Sequence, residues 1–264
     1  RRQRQMCIRD RARALTVRGW LDDAISLYRR VADDTARPNP ERAEALSALA
    51  DALRRKADAT WGAAGPKPRT PPDPATVPGM REAYEAALAA YRNLLTAFGE
   101  PDYPLVLGQD YRAGSEWGQA YCLYVLGEKE KAKFMVDELL GPWYRLQGAA
   151  LWHGGRDFFH INALDIAEGV AEVAVKRILE ERDAEQALYV IKDVADEERR
   201  AGLWEAASRH FTQGVEVART AYEGPIMGGD KYTEMLECLA GKASAEAGLG
   251  RYEEALASYE EIVK

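Results

Sequence analysis

The sequence predicts an all-α fold, an array of antiparallel helix pairs with irregular repeats and insertions. Three observations carry this prediction. A glycine–alanine–aromatic motif recurs along the 264 residues, apolar residues follow helical spacing around it, and the alternation typical of β-strands is absent. Apolar residues make up 47% of the chain and charged residues 30%, so there is enough apolar material for a buried core.

The motif places alanine five positions after a glycine and an aromatic or aliphatic residue nine positions after it. Glycine tolerates the left-handed backbone at which a helix ends. Alanine lets a partner helix approach, and the larger side chain fills the space one turn later. Each copy therefore predicts the turn of a helix pair. The copies are Gly19–Ala24–Tyr28, Gly127–Ala132–Val136, Gly202–Ala207–Phe211 and Gly250–Ala255–Tyr259, with a partial copy in Ala87 and Tyr91.

The motif glycines and the helical periodicity divide the chain into eleven predicted helices. Four pairs flank the glycines, and the remaining helices lie between them. In chain order the predicted helices span 3–18, 20–35, 40–60, 79–98, 109–126, 128–140, 158–180, 184–200, 203–222, 230–248 and 251–264.

Residues 62–79 interrupt this pattern with six prolines. Proline lacks the backbone N–H that helices and sheets require, so the segment is predicted to be an exposed extended loop. Two interpretations are open, a flexible insertion and a proline-rich docking segment.

The pattern resembles the tetratricopeptide repeat family, most closely over residues 243–255. Ala243, Gly250, Ala255 and Tyr259 fall on that family's small, turn, small and aromatic positions. The motif alanines are 63, 45, 75 and 48 residues apart, so the repeats are irregular, and a more globular helical bundle is the open alternative. The resemblance implies that the array is right-handed, a tetratricopeptide-like α-solenoid, with a concave groove lined by the first helix of each pair.

The implied function is a non-catalytic protein–protein interaction or scaffold module that binds a peptide or a partner domain in this groove. The Lys/Asn set with which some family members hold a C-terminal carboxylate is not visible. For Trp117 and Tyr121, packing between neighbouring helices is the open alternative. In tetratricopeptide repeats, certain positions of the first helix of each pair face the groove. The residues at the matching positions here are Arg9, Arg13, Trp117, Tyr121, Tyr124, Tyr189, Lys192, Asp196 and Arg199.

Two alternative functions stay open. Resembling arrays often form the sensing or scaffold arm of larger signalling chains, including kinases, nucleotide-switch regulators and transcription factors, so a ligand-sensing arm is one. The other is a metal-binding or enzymatic domain around His153, Asp157 and His160, which would share one face of an uninterrupted helix. Gly154 and Gly155 favour capping and packing roles for these three residues instead. No catalytic motif is present, and no cofactor is expected.

Residues 141–160 are rich in aromatic side chains and are predicted to form the junction between two halves of a single domain, with a ligand pocket as the alternative. Cys7, Cys122 and Cys238 lie in helical pattern at wide spacing, which predicts buried thiols in a reducing, cytoplasmic setting.

The net charge of -7 argues against nucleic-acid binding, and no apolar run is long enough for a membrane span. The N-terminal start without Met predicts a piece of a larger protein with flanking domains, and a homo-oligomer is possible because array ends need capping.

Overall fold

The computed structural model describes residues 2–37, 39–62, 70–98, 111–142, 144, 146–221 and 229–263. Every regular element within these ranges is a helix, so the predicted all-α class is confirmed for them. The helices are α1 (Arg2–Val17), α2 (Leu21–Ala32), α3 (Asn39–Gly62), α4 (Met80–Phe98), α5 (Tyr111–Val125), α6 (Lys129–Leu140), α7 (Gly148–Gly155), α8 (Asp157–His160), α9 (Leu164–Glu180), α10 (Ala184–Ala201), α11 (Trp204–Ala221), α12 (Gly229–Gly248) and α13 (Tyr252–Val263). None of the helices in the described ranges has the length and apolar character needed to cross a bilayer.

The chain divides into two compact units, unit 1 from Arg1 to Trp143 and unit 2 from Tyr144 to Lys264. The boundary falls inside the segment 141–160, which the sequence predicts as a junction within one domain. The buried aromatic side chains that follow the boundary, Trp152, Phe158 and Phe159, belong to α7 and α8 of unit 2.

In unit 1 each helix from α1 to α6 packs against the next one, and α3 also contacts α5. The motif residues Ala24 and Tyr28 of α2 are buried in a cluster with Leu15 of α1. Further along, the ring of Tyr91 in α4 lies against the backbone of Gly118 in α5, where a Cβ would overlap the ring. The helices of unit 1 therefore approach closely where an aromatic residue meets a small one.

Unit 2 packs by the same rule. Helix α10 contacts α7, α8, α9, α11 and α12, so it lies at the centre of the unit. Phe211 of α11 is 1% exposed, and its ring covers Gly241 of α12 so closely that a Cβ there would overlap it. The buried cluster around Phe211 includes Leu188, Ala207 and Cys238.

The four motif glycines end helices in the left-handed conformation, as the sequence predicts. Their φ values are 77° at Gly19, 90° at Gly127, 82° at Gly202 and 77° at Gly250. A side chain at these positions would be strained, because the left-handed region is costly for residues with a Cβ. The glycines therefore fix where each helix stops and the next begins.

One predicted helix, 158–180, is wrong in its bounds. The structure has α8 over Asp157–His160 and α9 over Leu164–Glu180, separated at Asn162, whose φ is 55°. Asparagine adopts the left-handed region more readily than most residues, so it breaks the helix.

The sequence also misses α7. Gly154 and Gly155 argue against a helix there, yet the helix forms because the small residues allow it to lie on α9. A Cβ at Gly148 or Gly155 would overlap atoms of Ile178 or Val170.

The predicted proline loop, 62–79, loses its first residue to α3, which continues to Gly62. Residues 63–69 lie outside the described part of the chain. The described remainder is partly folded back on the protein. Asp73 accepts a hydrogen bond from the backbone N–H of Ala75 at 2.9 Å, which closes a turn. Pro74 is buried rather than exposed.

Two matched glycine substitutions in unit 2 test the packing rule. Gly241→Ala should lower the free energy of unfolding by about 1–3 kcal/mol, because the added methyl group overlaps Phe211. Gly169→Ala should raise it by about 0.5–1 kcal/mol, because a Cβ there meets no atom within 4 Å and alanine favours the helix. Urea unfolding followed by circular dichroism measures both, and equal shifts would contradict the rule.

Candidate functional site

One surface of α10 carries four half-exposed polar side chains and two exposed ones. Its members repeat at intervals of three and four residues, so they lie on one side of the helix. This surface, called the α10 face below, comprises Tyr189, Lys192, Asp193, Asp196, Arg199 and Arg200. Four of these residues, Tyr189, Lys192, Asp196 and Arg199, are groove residues predicted from the sequence.

Asp193 joins the α10 face to α7. The indole N–H of Trp152, which is fully buried, donates to Asp193 Oδ2 at 2.7 Å. Arg156 donates to the same oxygen from Nη1 at 3.1 Å. Beside them the rings of His153 and Tyr189 lie 6.3 Å apart between centroids. The sequence gives Asp193 no role, although its place one turn after Tyr189 puts it on the same face.

Lys192 joins the α10 face to α12. Its ammonium group donates to Glu237 Oε2 at 2.5 Å. Burial acts to lower the pKa of Lys192, but the hydrogen bond and charge of Glu237 outweigh it, and the pKa is raised. The lysine is therefore held as a cation, with 26% of its side chain exposed.

His160 joins α8 to α10. Its Nδ1 lies 3.5 Å from Asp157 Oδ1, and its Nε2 lies 3.7 Å from Glu197 Oε1. The carboxylates of Asp157, first, and Glu197 favour the charged imidazolium more than burial disfavours it, and they raise the pKa of His160 to about 9. The same contact lowers the pKa of Glu197.

The structure does not bring His153, Asp157 and His160 together as one ligand set. His153 lies on α7 beside Tyr189, whereas Asp157 and His160 lie on α8, so the three do not share the face of one continuous helix. Within the described ranges, no group of three or more His, Cys, Asp or Glu residues is arranged to hold a metal ion.

In unit 1, the predicted residue Arg13 is largely exposed and lies 3.9 Å from Glu44 of α3. It lines a cavity of about 260 Å³ that also includes Tyr28, Asp51 and Arg55. The side chain of Arg9 lies outside the described part of the chain.

The predicted groove residues of α5 are buried, with 5% of Trp117, 4% of Tyr121 and 9% of Tyr124 exposed. Tyr121 donates its hydroxyl to Asp58 Oδ1 at 3.0 Å, and the guanidinium of Arg54 lies 4.7 Å from the centre of its ring. These three side chains pack inside unit 1 and leave little surface for a partner.

A network of tyrosine hydroxyls and carboxylates surrounds Tyr121. Tyr84 donates to Asp58 Oδ1 at 2.5 Å, and Tyr91 donates to Asp51 Oδ1 at 2.6 Å. Burial, together with the neighbouring carboxylates, raises the pKa of both tyrosines, which therefore stay protonated donors.

The two cysteines whose side chains are described are structural. Cys122 and Cys238 are fully buried, and burial raises the pKa of each thiol to about 12. A thiol with such a pKa is a poor nucleophile at neutral pH. The side chain of Cys7 lies outside the described part of the chain.

Comparisons with known proteins do not assign the chain to a family. No protein-family model matches it, and no curated protein matches it. Among solved structures, the chain is similar to BtubC (BKLC) from P. vanneervenii, with a TM-score of 0.49 and 14% sequence identity over 92% of this chain and 89% of that chain. A likeness of this size carries no assignment of function.

Removing the Asp193 carboxylate should destabilise unit 2. Asp193→Ala leaves the buried indole N–H of Trp152 without an acceptor, so the free energy of unfolding should fall by about 1–3 kcal/mol. Asp137→Ala is the matched control, because Asp137 forms an exposed pair with Lys133 that is worth about 0–1 kcal/mol. Chemical unfolding measures the free energy of unfolding of both variants. Equal losses in the two variants would contradict the role given to Asp193.

His160 should make stability depend on pH. Because its pKa is raised to about 9 from an unfolded value of about 6.5, protonation stabilises the fold fully below pH ~6.5, and this gain is lost as pH rises through about 9. His160→Gln should therefore cost most stability near pH 6 and almost none near pH 10. Urea unfolding at both pH values measures the difference, with His153→Gln as the control. A cost that does not change with pH would refute the assignment.

Proposed function

We propose that this chain is a non-catalytic interaction module that binds an extended peptide segment of a partner protein along the α10 face of unit 2. The observation that carries the proposal is the density of half-exposed, prepositioned polar groups on this face. Side-chain exposure is 26% at Lys192, 23% at Asp193 and 33% at Arg199. Groups of this kind are already partly desolvated and ordered, so binding costs them little further entropy.

The α10 face and the neighbouring Arg156 keep donors that the protein itself does not use. The Nε atoms of Arg156 and Arg199 are buried and have no hydrogen-bond partner among the described residues. A buried donor without an acceptor costs free energy. After a small rotation of either side chain, a backbone carbonyl or carboxylate of a peptide could accept these hydrogen bonds.

Charge on the face is balanced, which favours a peptide with both signs of charge. Cations of the face and its neighbours include Arg156, Lys192 and Arg199, and the anions include Asp193 and Glu237. Tyr189 is 48% exposed and offers its ring for stacking. Tyrosine and arginine are the residue types that most often dominate the energy of protein interfaces.

The helix contacts within each unit support the finer fold interpretation. Besides each consecutive pair, α3 contacts α5 in unit 1, and α10 contacts α12 in unit 2. Contacts between alternate helices are expected of a right-handed array of tetratricopeptide-like helix pairs, in which the first helices form one shared surface. In that interpretation the α10 face is part of the concave groove.

The proposal is tested by selecting binders from a displayed library of random peptides on the intact chain. An enriched peptide is then titrated by fluorescence anisotropy. A variant carrying Tyr189→Ala, Lys192→Glu and Arg199→Glu should bind it at least about tenfold more weakly, since each such contact is worth about 1 kcal/mol or more at an interface.

A matched variant carries Tyr252→Ala, Lys133→Glu and Arg30→Glu, all at exposed positions on helices other than α10. It should bind the peptide as the parent does, and both variants must keep the helical circular-dichroism signal of the parent. Failure to enrich any peptide, or equal binding by the α10-face variant, would overturn the proposal.

A further inference from the structure

A cleft in unit 2 lies between α9 and α11 and reaches the start of α10, on residues to which the sequence gives no role. It has two lobes, of about 370 Å³ and about 360 Å³, and both are lined by Leu179 and Gln213. Along α11 the cleft extends from His210 to Thr220, which corresponds to about 15 Å of helix. Cavities of this size accommodate small molecules.

A buried histidine–carboxylate pair forms the floor at one end. His210 Nδ1 lies 2.7 Å from Glu198 Oε2, and both side chains are only 1% exposed. Burial raises the pKa of Glu198, against the opposing effect of its hydrogen bond with His210. This contact fixes the imidazole ring and leaves Nε2, at 3.9 Å from Glu172 Oε1, as the nitrogen on the other side of the ring.

An unused acceptor lies one turn further along the floor. Gln213 Oε1 is buried and accepts no hydrogen bond from a described residue. In the unfolded chain, water donates a hydrogen bond to this oxygen. Burial without a replacement donor therefore costs free energy. A ligand N–H in the stretch shared by the two lobes could supply the missing donor once the side-chain amide turns about its last bond.

The walls between these polar groups are apolar, and the rim is acidic. Val175, Leu179 and Val217 line the cleft. Four carboxylates stand at its edges against two cations. The carboxylates are Glu172, Glu180, Asp183 and Glu216, and the cations are Lys176 and Arg182. Arg209, outside the lining, pairs with Glu172, so one carboxylate remains in excess.

We propose that this cleft binds a small alkylamine, with the ammonium group donating to Gln213 Oε1 beside the rim carboxylates and the hydrocarbon chain lying on Val175, Leu179 and Val217. Apolar walls favour the hydrocarbon part, and the excess of carboxylates favours a cation over an anion. The cleft is separate from the α10 face. The alkylamine proposal therefore does not depend on whether that face binds a peptide.

The first experiment compares three probes that share a six-carbon chain. Hexylammonium, hexanoate and 1-hexanol are titrated into the intact chain, and binding is followed by NMR chemical shifts of the cleft methyl groups. Hexylammonium should saturate the shifts of Val175, Leu179 and Val217, and hexanoate should bind at least about tenfold more weakly, because the rim repels it. Equal or tighter binding of hexanoate, or no saturable binding of hexylammonium, would overturn the proposal.

Single substitutions then test the orientation of the ammonium group. Glu180→Gln should weaken hexylammonium binding by about threefold and Lys176→Gln should strengthen it by a similar factor, as expected of partly exposed charges. Glu254→Gln, at an exposed position of α13 and outside the cleft lining, is the matched control and should change nothing. Gln213→Leu should weaken binding while keeping the fold, because leucine has a similar size but no acceptor. Unchanged affinity in both Glu180→Gln and Gln213→Leu would refute the assigned pose.

Discussion

The close approach of neighbouring helices in both units depends on glycines placed opposite bulky side chains. The ring of Tyr91 occupies the space of a missing Cβ at Gly118, and the ring of Phe211 does the same at Gly241. Because protein interiors are close-packed, these contacts fix the distance between helices and leave no room for an added methyl group. Both aromatic residues are almost completely buried as a result.

The same constraint positions the polar groups of unit 2. Gly155 of α7 lies against Val170 of α9, so the short helix α7 is held close to its neighbours. This placement brings the indole of Trp152 within hydrogen-bonding distance of Asp193 on α10. Close packing of small residues thus determines which charged and aromatic side chains meet on the α10 face.

The two candidate sites of unit 2 differ in the kind of charge that they present. On the α10 face, cations and anions pair across helices, as Lys192 does with Glu237, and the balance suits a peptide with mixed charge. In the cleft between α9 and α11, carboxylates exceed cations and a buried amide oxygen lacks a donor. The electrostatic difference makes the two sites complementary to different ligands.

The sequence by itself determined the helical class, the glycine turns and most helix bounds, because these depend on local backbone preference and on the periodicity of apolar residues. It also placed Tyr189, Lys192, Asp196 and Arg199 on one face of α10. Tertiary structure decided which neighbours cover a face. Trp117 and Tyr121 follow the same helical spacing, yet they are buried. The pairing of Trp152 with Asp193 and of His210 with Glu198 was likewise decided by the tertiary structure, because each joins side chains on different helices, and local periodicity carries no information about contacts between helices.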